Sequence, residues 1–263
     1  NSQSFFLVSY NCTKWIKKTF SNNKIKSNFK KIYVAADEQV NDGADGYIFL
    51  SYYYFKKFKF NQKLHLDGAI YSHDKKKFNY KKKNKKVFFY SGSMHKWGGV
   101  NTLIKALKLI KRKDLEVWIS GPGDRKDIEI AALNDNRIKI LGLLNDRQLS
   151  KCYNYADIFL NPRPVKMYGN ELNFPSKLFD YLAWKKPIIS TWTKGLSPEY
   201  RNVLHTFKDT PSDLAKAMLS YLNYKKVNKK KNKDFYQIKN WKMQGKRFIF
   251  FLKYIFKKKN EKN

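Results

Sequence analysis

From residue 86 onward the chain alternates two patterns. Short runs of consecutive apolar residues are followed by a glycine or proline turn, then by about ten residues with apolar positions at helical spacing. Strands are predicted over 87–91, 115–120, 137–141, 157–160 and 187–190. Helices are predicted over 100–110, 124–134, 146–155, 175–182 and 212–222. Leu103, Ala106, Leu107, Leu109 and Ile110 form the apolar face of the first helix. Asp146 stands near the start of the third, and Pro211 or Ser212 at the start of the last. Strands of this kind alternating with helices predict an α/β fold with a doubly wound, Rossmann-like parallel sheet. Such sheets bind ligands beyond the carboxyl ends of their strands. Gly92, Gly98, Gly99, Gly121, Gly123 and Gly142 fall there.

The flanks are less regular. Strand-like runs stand at 5–8, 31–34 and 46–51, and 52–60 alternates aromatics with lysines in a way that fits strand or helix. Residues 64–70 read as a strand ended near Asp67 and Gly68. Residues 72–86 are dominated by lysine and predict a surface loop. Residues 225–233 are almost all lysine and asparagine, and 241–256 predict a basic, aromatic helix. This divides the chain into an irregular region at 1–66, a regular α/β domain at 67–222, and a basic linker with a terminal helix at 223–263.

Composition then narrows the function. With 263 residues, 42% hydrophobic and 17% aromatic, the chain supports a sizeable core and is not a disordered polymer. Lys+Arg is 55 against 21 Asp+Glu, a formal charge of +34. That suggests nucleic acid or an anionic membrane. Only seven of the basic residues are arginine, the better tool for bidentate phosphate and base contacts. The abundance of lysine, asparagine, tyrosine, phenylalanine and isoleucine reads as AT-rich coding as much as function. Nucleic-acid binding is therefore the weaker alternative. Two cysteines, Cys12 and Cys152, exclude a disulfide scaffold and a multi-cysteine zinc cluster, and no metal site is predicted. No run of 18 apolar residues predicts an ordinary spanning helix. The chain begins at Asn1 without a signal-peptide pattern, and reads as a fragment or a processed product.

Three segments carry candidate chemistry. Residues 90–99, YSGSMHKWGG, join a strand to a helix. Glycines there allow close approach of an anion to backbone N–H groups, and His95 and Lys96 add donors. The spacing is neither G-x-G-x-x-G nor a P-loop. A plain tight turn, with Trp97 as a packing residue, is the alternative. Gly121-Pro-Gly123 follows the next strand. In the third segment, 161–191, Pro175 and Ser176 start a helix whose N–H groups favour a phosphate. Lys177 in the first turn opposes the helix dipole, a cost that a bound diphosphate offsets. Asp180, one turn on, suits two vicinal hydroxyls such as those of a ribose. A solvated helix start is the alternative.

The phrase NPRPVKMYGNELNFPSKLFDYLAWKKPIIST, preceded in order by SGSMHKWGG, ISGPG and ILG, carries a resemblance. It resembles the C-terminal donor-binding half of retaining GT-B glycosyltransferases of the family 4 type, the glycosyl transferases group 1, and is most similar to bacterial polysaccharide and capsule enzymes. The resemblance spans about 86–222. DGYIFLS at 45–51 looks like the end of an N-terminal domain, and 241–256 like the last helix crossing back to it.

The resemblance implies transfer of a sugar from a nucleoside diphosphate sugar, with retention, to a polysaccharide, lipid-linked or other glycan acceptor, without a tightly bound cofactor. It places Gly92, Ser93, Gly98, Gly99 and Gly121 about the diphosphate. Lys177 and Lys96 would be catalytic, neutralising charge on the departing phosphate, aided by the helix start at Pro175 and Ser176. Asp180 stands where the family has a ribose-binding glutamate. The family's Glu-x7-Glu would put its first glutamate at Leu172, with Glu171 adjacent. Its loop arginine and lysine are Ser93 and Gly98 here, with Lys96 replacing part of the charge. Most of the family's N-terminal domain is absent, so residues 1–66 read as its remnant. A partner supplying that half, or a non-catalytic GT-B fragment, is the alternative. The resemblance implies a cytoplasmic protein. Its basic helix either lies peripherally on the inner face of the cell membrane or packs between domains.

Overall fold

The computed structural model describes residues 32–35, 44–70, 84–167, 169–223 and 233–260. The readings at 5–8, over most of 72–86 and over most of 225–233 lie outside these residues.

Two parallel sheets organise the chain. The smaller has β1 (Ile32–Ala35), β2 (Gly46–Phe49) and β3 (Lys63–His65) side by side in that order. Between β2 and β3 runs α1 (Tyr52–Lys57), so the aromatic–lysine stretch is a helix. The larger sheet holds β4 (Lys86–Ser91), β5 (Leu115–Ser120), β6 (Ile138–Gly142), β7 (Ile158–Asn161), β8 (Ile188–Thr191) and β9 (His205–Phe207). Its order is β6-β5-β4-β7-β8-β9, every pair parallel. The helices are α2 (Val100–Leu109), α3 (Lys126–Asn134), α4 (Asp146–Tyr155), α5 (Lys177–Ala183), α6 (Pro211–Asn223), α7 (Lys233–Ile238) and α8 (Trp241–Asn260). β4 neighbours both β5 and β7, so the winding reverses there and a crevice is expected over their carboxyl ends.

The uniformly apolar strands are explained by burial on both faces. Phe88, Val117, Ile158 and Ile189 pack with Leu103, Leu107, Leu214 and Met218 on one side. Val87, Phe89, Phe159 and Ile188 pack with Tyr153, Leu178, Tyr181 and Leu182 on the other. Each such side chain contributes about 1.5–3 kcal/mol by leaving water. α4 begins as predicted, but its cap is Asn145. The Asn145 carboxamide accepts from the Gln148 N–H at 2.9 Å, and Gln148 Oε1 accepts from the Asn145 N–H at 3.0 Å. β9 was not predicted, since His-Thr-Phe carries no apolar run.

The strand read over 64–70 stops at His65. Gly68 turns the chain at φ +140°, and a Cβ there would lie 2.7 Å from the Phe179 ring. Asp67 is buried instead in an ion pair. Both its oxygens lie 2.7 Å from Lys239 Nζ, and the two side chains are 0% and 1% exposed. Tyr200 donates to Asp67 at 2.8 Å, and Glu199 approaches Lys239 at 3.1 Å. The Ile70 N–H donates to the Lys239 carbonyl at 2.8 Å. The chain thus passes from the small sheet to the large one, and back again, through one buried charged knot.

α8 returns to the small sheet. Phe248, Phe251, Leu252 and Ile255 pack on Ile48, Leu64 and Leu66. Against the other face lie Tyr47, Phe49 and Tyr54, with Phe58, Phe60 and Leu172. The described part of 1–66 is therefore a layered α/β unit rather than irregular chain.

Part of the excess charge closes helix ends. Lys186 Nζ donates to the carbonyls of Tyr153, Asn154 and Ala156 at 2.9, 2.5 and 2.5 Å, at the end of α4. Arg137, paired with Asp135, donates to the carbonyls of Leu107, Ile110 and Arg112 after α2. Lys63 donates to the Phe55 and Phe58 carbonyls at the end of α1. All but the Arg112 carbonyl lie in the last turn or cap of their helix, where carbonyls lack the usual partner four residues on.

Lys239→Met leaves the Asp67 carboxylate buried without its cation and should cost about 3–5 kcal/mol in urea unfolding. Asp67→Leu/Lys239→Met should recover much of that loss, and a single variant costing under about 1 kcal/mol would remove the knot from its proposed role. His65 is 8% exposed, and its Nε2 has no hydrogen-bond partner among the described residues. Burial, reinforced by Lys239 and Arg247 against Asp67 and Glu199, holds its pKa below the ordinary value. The unfolded chain therefore binds a proton that the folded chain refuses. Stability should fall as the pH drops below about 6.5, by at most about 1.4 kcal/mol per pH unit from this group. His65→Gln should flatten that slope in denaturant titrations at pH 7.5 and 5.5.

Candidate functional site

The loop after β4 is built around a buried phenol. The Tyr90 hydroxyl donates to the Ser93 carbonyl at 2.6 Å and lies 3.2 Å from that of Gly98. Burial pushes its pKa well up, so it remains a donor at neutral pH. A Cβ at Gly98 would meet the Ser93 carbonyl at 1.8 Å; at Gly99, with φ +86°, the Pro162 carbonyl at 1.8 Å; at Gly121, with φ +144°, the Gly92 carbonyl at 1.8 Å. The space left at these glycines is filled by neighbouring protein backbone. They bring the loops after β4, β5 and β7 into contact.

The backbone donors follow the same logic. The N–H groups of Gly92, Gly98 and Gly121 donate to the carbonyls of Ser120, His95 and Gly142. Those of Ser93 and Gly99 have no backbone acceptor among the described residues. Above this scaffold His95, Lys96 and Trp97 stand in solvent. Trp97 is 47% exposed, its ring 4.7 Å from that of His95, so it is not a core residue.

Asn170 clips the loops after β4 and β7 together. Its Nδ2 donates to the Trp97 and Pro164 carbonyls, both at 3.0 Å, and its Oδ1 accepts from Arg163 Nε at 3.1 Å and from the terminal guanidinium nitrogen. It is 3% exposed and fully bonded. Arg163 is half-buried, and no carboxylate pairs with it among the described residues. Burial lowers its pKa, the sign of a cation without adequate compensation. Arg163 and Asn170 were not singled out from the sequence. The available signal was that Arg163, in NPRP, is one of seven arginines in a lysine-rich chain.

α5 is fixed to the same region by Tyr181. Its buried hydroxyl accepts from the Ser91 N–H at 2.8 Å and donates to the Ser91 carbonyl at 3.2 Å. The helix start differs in detail from expectation. Ser176 already has helical angles and makes no side-chain cap. The Leu178 and Phe179 N–H groups donate to the Pro175 and Ser176 carbonyls. Those of Ser176 and Lys177 have no backbone acceptor among the described residues. Lys177 Nζ lies 3.0 Å from Asp180 Oδ2, and both side chains are partly exposed. Such a pair is worth at most about 1 kcal/mol and opens readily to a ligand.

Glu171 faces elsewhere. It pairs with Lys194 at 2.6 Å, and the Lys194 ammonium lies 6.0 Å from the Tyr53 ring. The Tyr52 N–H donates to the Gly195 carbonyl at 2.9 Å, so the start of α1 abuts this edge. Leu172, at the place of the family's first glutamate, packs into the aromatic cluster, and its carbonyl accepts from the Ser51 hydroxyl. The site residues therefore fall into two linked groups and one separate pair. Gly92, Ser93, Lys96, Gly98, Gly99 and Gly121 join Arg163 and Asn170; Pro175, Ser176, Lys177 and Asp180 are tied to them by Tyr181; Glu171 is paired at the edge. Among the described residues no three His, Cys, Asp or Glu side chains are grouped to hold a metal.

Known structures share the fold. A glycosyltransferase from Rickettsia africae ESF-5 superposes with a TM-score of 0.71 at 15% identity, over 98% of this chain and 83% of that one. Sucrose-phosphate synthase from Thermosynechococcus elongatus superposes at 0.66 and 14% identity, over 92% and 72%. Anabaena Alr3699/HepE, solved in complex with UDP and glucose, superposes at 0.53 and 14% identity, over 65% of this chain and 48% of that one. No curated protein matches the sequence. At these identities the likeness shows the fold, a GT-B Rossmann-like arrangement. Residues 85–224, more than half of the chain, match the glycosyl transferases group 1, and the chain belongs to that family.

Proposed function

We propose that the protein is a retaining glycosyltransferase, or its donor-binding part. It takes a sugar from a nucleoside diphosphate sugar and passes it to a polysaccharide, lipid-linked or other glycan acceptor on the cytoplasmic side. The observation that carries this reading is Arg163. A half-buried guanidinium, without a carboxylate partner among the described residues, lies in the loop after β7 and is tied through Asn170 to the loop after β4, where the winding reverses. An anion is the ligand that such a cation lacks, and a diphosphate also suits Lys177, Lys96 and the N–H groups of Ser93, Gly99, Ser176 and Lys177. Binding would draw Lys177 off Asp180 and leave that carboxylate for two sugar or ribose hydroxyls. During transfer, negative charge grows on the leaving phosphate, and these fixed cations stabilise it most when the bond is broken. Anabaena Alr3699/HepE binds UDP and glucose, which favours a uridine donor.

A second reading, a donor-binding partner without transferase activity, rests on Leu172 and Glu171. The family's first glutamate position is apolar and packed away, and its neighbour is held by Lys194.

Calorimetric titration with UDP, GDP and their sugars tests the donor site. Micromolar binding is expected, and a folded chain that binds no nucleotide diphosphate would overturn the proposal. Lys177→Ala and Arg163→Met should each weaken binding about 10- to 100-fold, the equivalent of a charge-assisted hydrogen bond, with circular dichroism unchanged. Tyr90→Phe removes a bond that shapes the loop and should weaken binding by a smaller factor, about 3- to 10-fold. Release of free sugar from a bound donor, followed by proton NMR at the anomeric position, separates transferase from mere binder; the first-formed anomer reports retention.

A further inference from the structure

We infer that the outer face of α8 is a docking surface for an anionic lipid membrane. At about 100° per residue, the exposed positions of this helix fall within an arc of roughly 120°. Four are lysines, Lys242, Lys246, Lys253 and Lys257. Between them stand Phe250, Tyr254 and Met243, exposed by 74%, 41% and 40%. The buried residues Gln244, Phe248, Phe251, Leu252 and Ile255 occupy the opposite arc. The helix is therefore held by one face on the small sheet, and the stripe is presented by a fixed support. Arg247 points to the flank, where it donates to the His65 carbonyl at 3.0 Å.

The charge pattern names the occupant. The helix contains no acidic residue along its length, so nothing on the stripe repels phosphate headgroups. Phe250, Met243 and Tyr254 share this face with the lysines, so one surface offers cationic and apolar contacts together. At a lipid interface the two features fit together: the ammonium groups meet anionic headgroups, and the apolar side chains enter the headgroup–acyl boundary. No helix among the described residues is long and apolar enough to cross a membrane, so this contact is peripheral. The inference stands on α8 itself and does not require the donor site to work.

Sedimentation of the full chain with unilamellar vesicles tests it. Binding is expected to vesicles of phosphatidylglycerol mixed into phosphatidylcholine, and not to pure phosphatidylcholine. Lys246→Glu/Lys253→Glu should weaken that binding at least about tenfold, and Phe250→Ser should weaken it several-fold. Lys105→Glu/Lys108→Glu, the same change in charge on the exposed face of α2, should leave it within about twofold. Melting temperatures should be unchanged throughout. Equal binding to neutral vesicles, no binding to anionic ones, or equal loss with both lysine pairs would overturn the inference. So would tighter binding to duplex DNA that is lost with the same α8 variants, since the face would then serve nucleic acid. Nucleotide binding measured on the same variants keeps the two proposals apart.

Discussion

The pairing of Asp67 with Lys239 holds the two sheets in one arrangement. Each charge would be costly alone in this interior, by several kcal/mol even after relaxation. Together they meet two carboxylate oxygens, the Tyr200 hydroxyl and Glu199, so no strong polar group is left without a partner. The pair sits where both connections between the sheets pass, and Ile70 pairs with Asn240 beside it. A less specific contact, such as an apolar patch, would tolerate sliding. A buried ion pair with its bonds met favours the arrangement in which both charges are compensated. The start of α1 consequently meets Gly195, and Leu172 meets the aromatic cluster, which places an edge of the small sheet beside the large one.

The candidate site shows how a glycine-rich loop works when its glycines face protein. Gly98, Gly99 and Gly121 admit neighbouring carbonyls where a Cβ would collide, and the N–H groups of Gly92, Met94 and Gly98 are already bonded to carbonyls. The loop is therefore in part a platform, with the N–H groups of Ser93 and Gly99 left without a backbone acceptor among the described residues. Recognition passes to side chains: Arg163, oriented by Asn170, and Lys177, held at rest by Asp180. The two cations differ in their resting state. One is half-buried and without a carboxylate among the described residues, the other partly exposed and paired. An incoming diphosphate gains from both, by supplying a missing anion in the first case and by replacing a weak partner in the second.

Much of the large sheet was legible in the sequence. Strands buried on both faces give uninterrupted apolar runs, and the helices between them show a clear 3.6-residue period. Errors arose where the determinant lay far along the chain. Asp67 and Lys239 are 172 residues apart, and each alone reads as a surface charge. The run at 64–70 reads as strand because the partner that breaks it is invisible locally. β9 is three residues long and is recruited by β8 rather than by its own apolar content. Asn170 and Arg163 gain meaning only when Trp97 and Pro164 are brought beside them. Conversely, motif spacing placed Lys177 and Asp180 correctly on one helical turn, because that relation is local. It could not show that they would hold each other.

Lysine and asparagine codons are one base apart, and a chain drifting toward AT-rich codons can exchange the two across much of its exterior without consequence. The lysines that close helix ends and join the sheets are a different population. At Lys186 an asparagine would be too short to span three carbonyls, and at Lys239 it would leave a buried carboxylate without its charge. The formal +34 is thus a mixture of exterior charge, much of it exchangeable, and a few internal cations whose length and charge their partners require. Mutational drift would meet little resistance over much of the first population and strong resistance in the second.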